Sequence, residues 1–289
     1  MAESGVSQHH LSSARRTARV RAACVWLAIV SLRLSGVAHA QAGPPYITND
    51  PGTPGNANWE INLGFMPEVS RDGTAYQIPQ IDLNYGLGDR IQLTYEVPYV
   101  IHTSSGGTTA GWSNGFPGVK WRFYDAGDEG WQVSVFPQLE TGAGTRAQQS
   151  DIGSPGPRFL LPFEASRKLG PVDIDVEAGY YFPRHGAARG ERILGLVVGH
   201  EFTERLELDA ELYDDHAADA APRGTTWDIG GRYKLSRSFI ALLMAGSSLT
   251  GTANGEPQFF SYLGIQLLLS DYGTKLGGEP QRAETLAPK

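Results

Sequence analysis

The sequence predicts an all-β protein, a closed antiparallel transmembrane β-barrel of about 12 strands. Apolar and polar residues alternate in a dozen successive segments. The connections between these segments are alternately short and longer, and the longer ones are polar. After residue 40 no apolar run approaches the roughly 20 residues that a membrane-spanning helix needs. Together these observations favour strands over helices as the elements that cross the membrane.

Residues 1–40 have the order of a secretory signal peptide. A basic stretch with four arginines precedes the apolar run AACVWLAIVSL at residues 22–32, and Ala38-His39-Ala40 follows with small residues. We expect cleavage after Ala40, because the apolar run is too short to serve as a helical membrane anchor. The rest of the chain is then an exported protein.

The composition after residue 40 excludes several classes of chemistry. The only cysteine, Cys24, lies in the signal peptide, so disulfide and thiol chemistry are not expected. The remaining chain has 19 basic and 30 acidic residues, a net charge of −11. Such an acidic chain is a poor partner for nucleic acid. The sequence predicts no cofactor and gives no indication of the oligomeric state.

The segment before the first predicted strand, residues 41–57, is rich in proline and glycine and does not suit a regular helix. It would either lie at the rim of the barrel or enter it as a small plug, and the rim is the preferred expectation.

The predicted barrel covers residues 58–270. Its strands are expected near residues 59–65, 76–85, 91–99, 119–123, 131–140, 159–164, 172–182, 194–201, 206–212, 227–234, 238–249 and 258–269. The last two segments are apolar on both faces and fit strict alternation least well. A polar tail is predicted for residues 271–289.

The segment VDIDVEAGYYF, residues 172–182, shows the alternation most clearly. Successive side chains of a strand point to opposite faces, so Asp173, Asp175 and Glu177 share one face and apolar residues share the other. Eleven residues at about 3.3 Å each, tilted by about 45°, cover roughly 25 Å, the height of the apolar band of a membrane barrel. The apolar face would then contact lipid and the acidic face would line a wet lumen, although a soluble β protein could show the same pattern in one strand.

The connections favour the membrane alternative. Five short ones, GLGD, DAGDEG, LGP, FTE and LSR, alternate with longer polar ones such as HTSSGGTTAGWSN, GAGTRAQQSDIGSPG and DDHAADAAPRG. Outer-membrane barrels have this asymmetry, with tight periplasmic turns and longer external loops. The expected location is therefore the outer membrane, in contact with its lipid.

The phase of the alternation predicts an acidic interior. The candidates for lumen-lining residues are Lys120, Arg122, Asp173, Asp175, Glu177, Glu207, Asp209 and Glu211. Their expected role is to favour cations and neutral molecules over anions. Some of the acids should form ion pairs, because isolated charges in a narrow lumen are unfavourable.

Several stretches of the chain resemble one bacterial family. The stretches TNDPGTPGNANWEINLGF, IDLNYGLGDRIQLTYEVPYV, GVKWRF, FPQLETG, LLPFEASRKLGPVDIDVEAGYYF and GGRYKLS are similar, in this order, to the MetA-pathway of phenol degradation proteins. The resemblance implies an outer-membrane β-barrel that transports small solutes, aromatic compounds among them. It implies no catalytic residues.

Other functions have weaker support in the sequence. Gly111-Trp112-Ser113-Asn114-Gly115 matches G-x-S-x-G, but it lies in a glycine-rich stretch without the strand and helix of a nucleophile elbow, and a barrel hydrolase would need a base beside Ser113. No metal or catalytic site is expected, because paired acids on a wet strand face are more often solvated or ion-paired. A barrel with a filled lumen that conducts nothing remains an alternative.

Overall fold

The computed structural model describes residues 43–127, 129–144, 152–154, 156–182, 190–217, 224–252 and 255–270. The predicted signal peptide and polar tail lie outside these residues, as do parts of the long connections. Within the described chain, no helix has the length and apolar character to cross a membrane.

The fold is a single sheet of antiparallel strands that closes on itself. Its strands are β1 Trp59–Val69, β2 Thr74–Leu87, β3 Ile91–Ser104, β4 Gly107–Trp112, β5 Phe116–Asp125, β6 Gln132–Val135, β7 Gln138–Glu140, β8 Arg158–Leu169, β9 Val172–Phe182, β10 Glu191–Thr203, β11 Leu206–Ala217, β12 Thr225–Lys234, β13 Phe239–Ser248 and β14 Phe259–Leu269. Closure is made by β1 and β14, which pair from Trp59 opposite Leu269 to Val69 opposite Phe259. A closed barrel leaves no unpaired strand edge.

These 14 segments occupy 12 strand positions around the barrel, because the strand is interrupted at two of these positions. Strands β4 and β5 both pair with β3, and β6 and β7 both pair with β8. The break between β6 and β7 falls at Phe136-Pro137, where proline has no N–H to donate to the ladder. The wall stays bonded there, since the Phe136 N–H donates to the Pro162 carbonyl oxygen (3.1 Å) and the Pro137 carbonyl accepts from Val119 (3.0 Å). The prediction of a closed 12-stranded antiparallel barrel is confirmed.

One connection differs from its predicted form. The stretch after residue 101 was expected to be a long polar loop, but β3 continues to Ser104 and β4 begins at Gly107, so the two form a tight hairpin. The hydroxyls of Thr103 and Thr108 lie 3.1 Å apart across this hairpin. Threonine favours strands, and a polar hairpin can extend the wall beyond the membrane without burying apolar residues.

The two faces of the wall have opposite chemistry. Along β9, Asp173, Asp175 and Glu177 are buried, whereas Val176 between them is 39% exposed. On β11, Asp209 and Glu211 are likewise buried while Leu212 is exposed. This distribution, with an apolar outer surface and a polar, charged interior, is the reverse of that in a soluble protein. It is the distribution expected for a barrel surrounded by the hydrocarbon core of a membrane.

The five short connections predicted from the sequence join strands at the same end of the barrel, whereas the β1–β2 and β3–β4 hairpins turn at the opposite end. Gly88 in the β2–β3 turn has a φ of 70° and Gly170 in the β8–β9 turn has a φ of 64°, a left-handed conformation that glycine adopts without steric cost. Strand β1 also begins at this end, which we call the turn end.

Candidate functional site

The interior of the barrel holds the chain that precedes β1. We call residues 43–58 the N-terminal segment. The Glu211 carboxylate on β11 accepts the backbone N–H groups of Ile47 (3.0 Å) and Thr48 (2.6 Å), and Glu177 on β9 accepts that of Asn49 (2.9 Å). Two acids predicted to line the lumen therefore bind backbone donors of this segment, and the segment lies inside the barrel.

Arg232 on β12 holds the beginning of the segment. Its guanidinium donates to the backbone carbonyl oxygens of Gly43 and Pro44, both at 3.0 Å. It also lies 3.6 Å from the carboxylate of Asp209 and 3.8 Å from that of Glu207. These contacts compensate the charge of an arginine that is only 4% exposed.

The aromatic side chain of Tyr46 packs on the part of the wall that is apolar inside and outside. The buried residues around it are Val197, Ile240, Leu242, Met244, Phe260 and Tyr262. All but Val197 belong to β13 and β14, the two strands that fit strict alternation least well. Their inward apolar side chains are explained by this packing, because the tyrosine ring provides an apolar partner inside the barrel.

Glycines in the wall provide the space for the segment. A Cβ atom at Gly195 on β10 would overlap Thr48 Oγ1, and one at Gly86 on β2 would overlap the Gly55 carbonyl oxygen. A larger residue at either position would displace the segment or the strand. The wall therefore has space for the segment at these positions.

The other end of the segment is fixed at the turn end of the barrel. The Ala57 N–H donates to the Gly86 carbonyl (2.9 Å), the Gly88 N–H donates to Asn56 Oδ1 (3.0 Å), and the Thr53 hydroxyl donates to the Asp89 carbonyl (2.9 Å). The chain therefore runs from the interior to the β2–β3 turn before it enters β1.

Lys120 on β5 joins the segment to the opposite part of the wall. Its ammonium group donates to the Asp50 carbonyl oxygen and lies 3.5 Å from the Glu164 carboxylate. Burial raises the pKa of the Asp50 carboxyl, while Lys120 and the Gly52 N–H act in the opposite direction. Asp50 is 4% exposed, and the positive charges of Lys120 and, to a smaller extent, Arg232 and Arg122 favour the ionised form of its carboxyl group.

The remaining lumen candidates lie apart from the segment or contact it less directly. Arg122 is half-buried near the turn end, where it pairs with Asp125 (3.3 Å). Asp173 is also near this end, 3.5 Å from Lys168. Asp175 is 2% exposed, and its Oδ1 has no hydrogen-bond partner within the described chain. The selectivity role of all eight candidates stays a prediction.

The segment leaves part of the interior empty. A cavity of about 430 Å³ lies between it and the inner faces of β1, β2, β3, β5, β7, β13 and β14. Its polar lining includes Asp50, Glu60, Gln77, Gln80, Asp82, Asn84, Gln92, Thr94, Glu96, Lys120, Gln138 and Gln266. Volumes in this range accommodate small molecules.

Three acids of the cavity are bonded to amides. Asp82 accepts from Asn62 and from Asn84, both at 2.9 Å, and Glu96 accepts from Gln80 (2.8 Å). Glu60 accepts from Asn62 at 3.2 Å. No Lys or Arg forms an ion pair with Glu60, Asp82 or Glu96 within the described residues. These three acids therefore have amide partners in place of basic ones.

Ser113, the centre of the G-x-S-x-G match, also lines the cavity. It lies between β4 and β5, and its backbone N–H donates to the Pro98 carbonyl (3.0 Å). Its side chain forms no hydrogen bond with a histidine within the part of the chain that is described. A nucleophile needs such a base to be activated.

Sequence reasoning selected Lys120, Glu177 and Glu211, which contact the segment, but it missed other residues on which the interior arrangement depends. Arg232, Tyr46 and Thr48 are central to the contacts of the segment, yet no periodicity marks the segment itself. The inward phase of Glu60 and Asp82 could be deduced from alternation, but their position beside an empty volume depends on where the segment lies.

Comparison with solved structures supports the fold assignment. No family profile matches the chain, and a search of curated proteins finds no match. A crystal structure of an outer membrane channel from Pseudomonas putida F1 superposes with a TM-score of 0.57 at 14% identity, covering 80% of this chain and all of that one. The chain has the fold of outer-membrane β-barrel channels. The KdgM porin is also similar, with a TM-score of 0.50 and 12% identity over 71% of this chain and 98% of the porin.

Proposed function

We propose that the protein is an outer-membrane channel for small solutes, and that the N-terminal segment is a plug that narrows its lumen. In this proposal the chain is exported by a signal peptide cleaved after Ala40, and lipid contacts the apolar outer face. The observation that carries the proposal is the cavity of about 430 Å³ between the segment and a polar inner wall. A filled structural barrel would not need such a polar void.

The charges of this cavity determine the expected selectivity. Glu60, Asp82 and Glu96 have only amide partners, and the Lys120 ammonium is bound to Asp50 and Glu164. Like charges repel strongly where water is scarce, so anions should be disfavoured and cations or neutral molecules preferred.

The finer identity of the solute rests on the resemblance of the sequence to the MetA-pathway of phenol degradation family. That resemblance makes aromatic compounds the first solutes to test. Met66, Phe116, Phe136 and Tyr262, which line part of the cavity, provide apolar surface for a ring.

The test is single-channel conductance of the purified protein in a planar bilayer with a salt gradient. We expect small conductance steps and a reversal potential that indicates cation preference. The triple variant Glu60→Gln, Asp82→Asn and Glu96→Gln should lose this preference, while Glu201→Gln, which removes an acid that pairs with Lys234 (3.2 Å), should keep it. Absence of conductance from a correctly folded barrel would contradict the proposal.

A further inference from the structure

One layer of the barrel interior presents acids and amides side by side. Gln266 on β14, Asn62 on β1, Asp82 on β2 and Glu96 on β3 are directly opposite one another on four adjacent strands. Because their positions are in register and share the inward face, their side chains form one continuous polar layer. Gln266, Asp82 and Glu96 line the cavity.

This layer and its neighbour have unused hydrogen-bond acceptors. Gln266 is 2% exposed and lines the cavity, yet its Oε1 has no partner within the described residues. Gln80 Oε1, in a residue that also lines the cavity, has no partner either. Asn62 Oδ1 likewise has no partner within the described residues, but Asn62 is completely buried behind the lining. All three atoms are amide carbonyl oxygens, which only accept hydrogen bonds. A buried acceptor without a partner is unfavourable, and a ligand that donates hydrogen bonds would remove this cost.

Among the described lining residues Lys120 alone is basic, and its ammonium group is bound to the Asp50 carbonyl oxygen and the Glu164 carboxylate. Glu60, Asp82 and Glu96 form no ion pair with a Lys or Arg within the described chain. Asp175 and Asp228 also form no ion pair with a basic residue within the described chain, but neither lines the cavity. The cavity therefore combines uncompensated carboxylates with unused acceptors, and both are satisfied by a cation with several N–H donors.

The cavity becomes apolar further along its axis. From the layer of Asn62 toward the end of β1 at Val69, the inward residues become Met66, opposite Gln77, and then Val100 across β2. Met244 on β13 and Tyr262 on β14 are opposite each other and complete this apolar part of the lining. A ligand that fills the cavity would therefore have a charged end and an apolar end.

We propose that the cavity binds a small amphipathic organic ammonium ion, with the ammonium group at Asp82, Glu96 and Gln266 and the apolar group at Met66 and Tyr262. An organic cation is favoured over a bare metal ion, since no group of three or more His, Cys, Asp or Glu side chains in the described residues is placed to hold a metal. The inference rests on the proposed channel function, because it names the class of solute that the channel takes.

The test uses calorimetric titration of the full protein, purified from outer membranes in detergent, with phenethylammonium chloride as the probe. The neutral 2-phenylethanol and the anionic phenylacetate have the same ring and serve as comparison compounds. We expect the ammonium compound to bind about 10-fold or more tightly than the alcohol, since a hydrogen-bonded charge contributes more than a neutral group. Phenylacetate should not bind.

The double variant Asp82→Asn and Glu96→Gln should lose about 10-fold or more in affinity for the ammonium compound while affinity for the alcohol is retained. The matched control Glu201→Gln should bind like the unchanged protein. If the double variant does not fold, Gln266→Leu removes a free acceptor without changing charge, and it should also weaken ammonium binding.

Equal affinity for the three compounds, or equal losses in the variant and the control, would overturn the inference. Conductance measurements distinguish a failure of the ammonium site from a failure of the proposed channel function. Ammonium binding by a barrel that conducts nothing would contradict the channel and leave the site in place. Conductance without ammonium preference in binding would contradict the site alone.

Discussion

Glu211 shows how an inward acid of a barrel can act on another part of its own chain. It is 4% exposed and accepts two backbone N–H groups, from Ile47 and Thr48. Alternation alone predicts that this acid faces inward, but not that it binds residues more than 160 positions earlier, because the pattern contains no information on partners. The identity of the partner depends on the closed wall and on the space left inside it.

The first prediction concerns the variant Glu211→Gln. The amide NH2 group of glutamine would face one of the two backbone N–H groups, so one charge-assisted hydrogen bond would be lost. The attachment of the N-terminal segment to the wall should weaken by about 1.5–3 kcal/mol. Thr48→Cys provides a reporter, since the chain has no cysteine after residue 40. Maleimide labelling of this thiol should be faster in the Glu211→Gln background than in the Glu201→Gln control. Equal rates would argue against an anchoring role for Glu211.

The second prediction concerns the glycine beneath Thr48. Gly195→Ala places a Cβ atom where Thr48 Oγ1 lies, so the variant should lose about 1–3 kcal/mol of stability in urea unfolding because of overpacking. Adding Thr48→Gly should restore most of the loss by removing the overlapping atoms. Gly106→Ala is the control, since a Cβ there would meet its nearest neighbour at 3.6 Å. A loss that Thr48→Gly does not relieve would mean that the strand, not the segment, is disturbed.

Among the elements, the strands were largely predictable and the N-terminal segment was not. Strand β9 could be predicted in full because each inward acid is followed by an outward apolar residue. The interruption of the wall at Phe136-Pro137 was not predicted, since it follows from how β6 and β7 share β8. Residues 43–58 have no period, so their place inside the barrel depends on tertiary contacts such as that of Arg232 with Gly43.

The apolar inner faces of β13 and β14 also depend on the N-terminal segment. A lumen filled by water alone would not favour Leu242 or Phe260 facing inward, yet both are buried there with Tyr46. These strands and the segment therefore stabilise each other through burial of apolar surface.

The third prediction tests the segment as a plug. Deleting residues 43–50 removes the acceptors of Arg232 and the ring of Tyr46, so the lumen should widen and fill with water. We expect single-channel conductance several-fold above that of the full chain and a lower unfolding temperature. The control removes the same number of residues from the C-terminal tail. Unchanged conductance would mean that the segment does not obstruct the path of ions.

At the scale of the whole molecule, the distribution of polarity is the reverse of that in a soluble domain. Exposed side chains such as Ile229 (57%) and Leu263 (56%) form the outer surface, while Glu164 and Asp228 are fully buried inside. The sequence could predict this inversion, because a period of two assigns each residue to one face. It could not predict how the interior is divided between the segment and the cavity, since that division results from contacts distant in sequence.

The last prediction tests the lipid-facing surface. Ile229 lies near the middle of β12 and faces outward, so Ile229→Arg should destabilise the barrel in phospholipid vesicles by about 2–4 kcal/mol, the cost of a basic residue near the bilayer midplane. Phe239→Arg also replaces an exposed apolar residue, but at the first position of β13, where the cost should be about 0–1 kcal/mol because the side chain reaches the interface. Urea unfolding in vesicles measures both. Equal costs at the two positions would contradict a membrane-spanning orientation, because only a bilayer makes the cost of a charge on this surface depend on its depth.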